Sequence, residues 1–97
     1  MHYLSFDVLD GTDGIHTLEA VASTRAEAHA AVMAEVQQVL DWAWRQQPHG
    51  HGPVEEGQVW DHDLSVVHEP GGWVAVSLTI TATEPFAQQL LGAFSAA

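Results

Sequence analysis

The chain has 97 residues, 46% of them hydrophobic, and this length fits one small domain, 1–97, holding one core. Its 13 acidic residues face only Arg25 and Arg45, giving a net charge of −11. That balance speaks against nucleic acid and against anionic membrane surfaces, which both need cations from the protein. With no cysteine, disulfides and thiolate metal sites are excluded.

The opening residues show no basic segment leading into an apolar one. No apolar run approaches the ~20 residues that span a bilayer. A cytoplasmic location is the expectation. Residues His2 to Leu9 alternate, with Leu4, Phe6 and Val8 on one face and Tyr3, Ser5 and Asp7 on the other, which predicts a half-buried strand. Asp10-Gly11-Thr12-Asp13-Gly14 is a turn sequence. A second strand from Ile15 to Ser23 places Leu18, Ala20 and Ala22 in phase. An odd loop would pair Val8 with His16, Phe6 with Leu18 and Leu4 with Ala20.

Thr24-Arg25-Ala26-Glu27 matches a capping box and predicts a helix of about 23 residues, ended by Pro48. Its apolar stripe is Val32, Val36, Val39, Leu40 and Ala43, with Met33 and Trp44 at the margins. A glycine- and histidine-rich loop occupies 48–57. A third strand follows from Val59 to His68, with Trp60, His62, Leu64, Val66 and His68 on one face. After the Glu69-Pro70-Gly71-Gly72 turn, a fourth strand runs from Trp73 to Ala82, with Val74, Val76, Leu78 and Ile80 in phase. The expected register pairs Val66 with Val74 and Leu64 with Val76. Thr83-Glu84-Pro85 opens a second helix that presents Phe86, Leu90 and Phe94.

The order is ββα-ββα, with a first half at 1–47 and a second at 58–97. Phe6 can be laid on Leu64, Val8 on Val66, Leu9 on Val67 and Gly14 on Gly72, which raises an internal pseudo-twofold repeat. The natural architecture is an α+β two-layer fold, a four-stranded antiparallel sheet with two helices packed on one face. A first helix about 34 Å long, at about 1.5 Å per residue, delivers strand 3 beside the turn of hairpin 1. The hairpin turns then lie at opposite ends. Central pairing of strand 1 with strand 3, or of strand 2 with strand 4, satisfies this equally.

Seven histidines exceed ordinary usage. His49 and His51 on the loop could supply two ligands to zinc or nickel, with His16 near the first turn, His62 or Asp61 adding a third, and His16, His49 and His51 are the candidate set. The contrasting reading is a solvated loop with no fixed ligand spacing. His62 and His68 face inward and could act as general bases, but no nucleophile, base and orienter can be assembled around them. Asp7, Asp10 and Asp13 are spaced wrongly for a calcium loop, and a chain without lysine cannot form a Walker phosphate loop. The second sheet face mixes small hydroxyls with Leu9 and Trp73, while Trp42 lies off the stripe of helix 1. These three are the candidate interface anchors. The expected function is therefore a small acidic, non-catalytic domain that binds a protein partner or forms a homodimer. Metal binding through the histidines is the alternative, and a small enzyme using His62 or His68 comes third.

Overall fold

The computed structural model describes residues 3–11, 14–48, 52 and 57–94, with Asp10 described by its backbone alone. The chain runs β1 (Asp7–Asp10), β2 (Ile15–Arg25), a 3-10 turn (Ala26–Ala28), α1 (His29–Gln46), β3 (Trp60–Glu69), β4 (Trp73–Thr83) and α2 (Glu84–Phe94). This is the expected α+β fold, a four-stranded antiparallel sheet with two helices. The strand order is β1-β2-β4-β3, so the central pair is β2 with β4. That pair runs unbroken from Ile15↔Thr83 to Arg25↔Trp73. The choice follows from side-chain chemistry. Leu18, Ala20 and Ala22 of β2 and Val74 through Ala82 of β4 alternate apolar on one face, which suits a covered centre. The corresponding face of β3 carries His62 and His68, which suit an edge.

Both helices cover the even-numbered face of the sheet. Val32, Val36, Val39 and Ala43 of α1 are buried there, as are Phe86, Ala87 and Leu90 of α2. Trp60 anchors the junction and is fully buried. Its ring stacks on Phe86 with centroids 5.9 Å apart and meets Trp44 edge-on at 5.4 Å. Its Nε1–H donates to the Gln47 carbonyl at 3.3 Å. The hairpin turns lie at opposite ends, as expected. Glu84 N–H donates to the Gly14 carbonyl at 2.9 Å, while Ala26 N–H donates to the Gly72 carbonyl at 3.0 Å.

Four local expectations are corrected. Both hairpins are shifted by one pair, to Val8↔Leu18 and Val66↔Val76. Pairing Val66 with Val74 would leave a single residue to close the turn. The observed Glu69↔Trp73 closure leaves Pro70, Gly71 and Gly72, with the two glycines at φ 85° and 82°. Because the shift preserves parity, the face assignments survive.

Second, the first strand is shorter than predicted. Tyr3 and Leu4 leave the sheet because the Glu35 carboxylate of α1 accepts both their amides, at 3.0 and 2.9 Å. Leu4 is buried in the core and Tyr3 packs against it, so Tyr3 is not on the open face. Val8 is exposed instead of buried.

Third, the capping box does not form. Thr24 and Arg25 pair with Val74 and Trp73, and neither the 3-10 turn nor α1 has a side-chain cap hydrogen bond. The sheet takes the backbone groups that a cap would have served, and α1 has 18 residues. Fourth, Leu64 and Val66 share the helix-side face as predicted but are exposed, because the helices bury the Trp60 end of the outer strand and leave its middle uncovered.

Candidate interaction surface

The sheet has two edges, and they differ. β1 is only 4 residues long, and the chain before it turns away to Glu35. A short edge offers little to pair with. β3 is 10 residues long and contains no proline, lysine or bulge. Its backbone phase follows from two flanking bonds. The Val59 carbonyl accepts Thr83 N–H at 3.0 Å, towards β4, whereas the Trp60 carbonyl accepts Gly52 N–H at 2.9 Å, on the outer side. Backbone groups alternate along a strand, and the β3–β4 register is continuous. Asp61, Asp63, Ser65, Val67 and Glu69 therefore bond to β4. His62, Leu64, Val66 and His68 direct their N–H and C=O groups outward, and the His62 N–H is already taken, donating to the Asp61 Oδ1 at 2.8 Å. Among the described residues this leaves a window at Leu64, Val66 and His68, closed at one end by the Asp61–His62 bond and Gly52 and at the other by the Pro70 turn.

The side chains along the window are also open. Leu64 is 36% exposed, Val66 38% and Val67 52%. Leu64 and Val66 lie on the helix side, with Val67 on the opposite face. His62, half-buried, stacks on Trp60 with centroids 5.7 Å apart. Exposed His68 approaches His29 of α1, ring to ring at 6.3 Å. Sequence reasoning placed Leu64 and Val66 in the core and so missed this surface. A signal was present, since β4 carries no ionisable residue while β3 interleaves Asp61, His62, Asp63 and His68 with its apolar residues.

The candidate anchors lie apart from one another. Leu9 of β1 is exposed on the open face, opposite Thr17. Trp73, at the start of β4, is half-covered by the Arg25 guanidinium, 5.0 Å from its ring centroid. Between them the face carries Thr17, Thr79, Thr81, Ser77 and Ala75, all partly buried. Trp42 is on neither sheet face. It packs between the helices against Phe86 and Phe94, at 5.5 and 5.8 Å. There it lines an open cleft of about 320 Å³ with Gln38, Asp41, Arg45, Ala93 and Phe94.

Of the histidines considered as metal ligands, His16 is half-buried at the start of β2, paired with Ala82. His49 and His51 lie outside the described residues. Among the described residues, no group of three His, Asp or Glu side chains is placed to hold a metal ion. No described helix is long and apolar enough to cross a membrane. Comparison with known proteins finds no matching family model, no similar curated protein and no similar solved structure.

Proposed function

We propose that the chain is a non-catalytic association domain whose working surface is the outer edge of β3. The observation that carries this reading is that, among the described residues, Leu64, Val66 and His68 turn their backbone groups to the outer side of β3, flanked by exposed Leu64, Val66 and Val67. A long, unprotected edge is a template for an added strand. Added strands gain affinity from main-chain bonds and specificity from alternate side chains. The strand's carboxylates, Asp61, Asp63 and Glu69, favour a segment without acidic residues opposite them.

Amide hydrogen exchange tests the reading by its alternation. In dilute protein the amides of Leu64, Val66 and His68 exchange fast, while those of Asp63, Ser65 and Val67 are protected by β4. The probe is an extended peptide of alternating lysine and valine, added in increasing amounts, with a parallel series of rising protein concentration. The expected result is saturable protection of these three outward amides in at least one series. Fast exchange of all three throughout both series rejects the edge as a docking element.

A further inference from the structure

We infer that His29 and His68 form a two-imidazole site for one divalent transition-metal ion, clamping the start of α1 to the far end of β3. The site uses side chains and does not rest on the reading of β3 as an association edge.

The topology brings the two rings together. Thr24 of β2 pairs with Val74 of β4, and Val74 pairs with His68 of β3. These three residues form one row across the helix-side face of the sheet. The 3-10 turn Ala26–Ala28 lifts the chain off that row and starts α1 at His29. The His29 ring therefore meets the His68 ring, with centroids 6.3 Å apart and planes tilted by 58°.

His29 carries the unexplained group. Its Nδ1 is buried and has no hydrogen-bond partner among the described residues. An imidazole nitrogen is a donor or an acceptor in every tautomer, so leaving it buried and unpaired is costly. His68 is exposed and makes no hydrogen bond or ion pair with a described residue. Neutral imidazole binds metal through either ring nitrogen. A metal–nitrogen bond of about 2.0–2.1 Å sets the ion roughly 3.2 Å from a ring centre, so two rings on one ion stand about 5–6.5 Å apart. The observed 6.3 Å falls in that span. The exposed His68 side chain can turn among its rotamers to adjust the angle at the ion.

Two other accounts of the pair compete. A ring contact alone explains the tilt but leaves Nδ1 unpaired. A water at Nδ1 pairs it without involving His68. No third His, Asp or Glu joins the two histidines among the described residues. The ion therefore keeps water at its other positions, as open metal sites do. Nitrogen donors suit zinc, nickel and copper(II), with copper(II) bound tightest, and a net charge of −11 draws cations in.

Zinc chloride titrated into the isotope-labelled chain tests the site, with the ring nitrogens followed by NMR. His68→Ala, His29→Gln and the double variant His49→Ala with His51→Ala are titrated in parallel. His68 is exposed, so its truncation leaves the core intact, and circular dichroism checks the fold of His29→Gln. The expected result is that His29 Nδ1 and one ring nitrogen of His68 shift with a shared midpoint and saturate at one equivalent. His68→Ala weakens zinc binding about tenfold or more, since losing even a residue that only orients a ligand costs that much. The loop double variant binds as the unmodified chain does, and sedimentation shows no zinc-induced dimer.

An unmoved His29 Nδ1, separate midpoints for the two rings, or unaltered affinity in His68→Ala overturns the site. A response confined to His16, His49 and His51 assigns the ion to the loop and overturns it as well. A zinc-induced dimer that His68→Ala abolishes overturns the clamp within one chain, because His68 then shares the ion with a second copy. Protection of the Leu64, Val66 and His68 amides by the lysine–valine peptide is measured without zinc, so the association reading stands or falls separately.

Discussion

Glu35 and Trp60 are the two side chains whose roles reach furthest beyond their own elements. The Glu35 carboxylate takes the amides of Tyr3 and Leu4 and thereby folds the start of the chain over the core. Without it, two donors lose a charged acceptor and Leu4 loses its place. Hydrogen bonds to a charged group contribute roughly 1.5–3 kcal/mol. Glu35→Ala is expected to lower unfolding free energy by about 2 kcal/mol in urea titrations, with Glu35→Gln losing less. An unchanged midpoint for Glu35→Ala would show that the leading segment is held by other contacts. Trp60 is fully buried between α1, α2 and the sheet. Trp60→Ala should cost about 3–5 kcal/mol, a large fraction of the ~5–15 kcal/mol typical of a domain. Trp60→Phe, which keeps an aromatic ring but a smaller one and removes the donor to the Gln47 carbonyl, should fall between the two. The importance of Trp60 was legible in the sequence from its inward phase. The role of Glu35 was not, because its partners are more than thirty residues away and nothing local marks it.

Among the elements, β3 differs most from its sequence-based expectation. Its phase was read correctly, but phase reports only which residues share a face. Whether that face is covered depends on where the helices lie, and α1 and α2 pack against β2 and β4. The alternation of its backbone gives a test independent of any partner. Val66 directs its N–H outward, so proline there keeps the ladder to β4 intact. Val67 donates to β4, so proline there removes a ladder bond. Val67→Pro should therefore be less stable than Val66→Pro by about 1 kcal/mol or more, read from thermal or urea midpoints. Equal losses would contradict the assigned phase. The strand-to-helix boundary before α1 was misread for a related reason. A capping box is a local pattern, and the tertiary pairing of Thr24 and Arg25 with β4 outcompetes it.

At the scale of the whole molecule, charge sets how association responds to salt. Each copy carries a net −11, so two copies repel. Raising ionic strength shortens the screening length from ~30 Å at 0.01 M to ~8 Å at 0.15 M. Self-association through β3 should strengthen across that range, by sedimentation equilibrium. Capture of the lysine–valine peptide should weaken over the same range. A dimer that dissociates with added salt would point to an ion-paired interface elsewhere on the surface.

The alternation of apolar residues determined the strands and their faces. The helical periodicity determined α1 and its stripe, and the acidic composition determined the charge. These are local or additive properties, readable without neighbours. Tertiary structure decided that β2 and β4 lie at the centre, that the hairpins close one pair further along and that Leu4 leaves the sheet. It also decided that β3 lies at an edge of the sheet. Each of these depends on which distant residue satisfies a given backbone group, and a sequence does not list its partners.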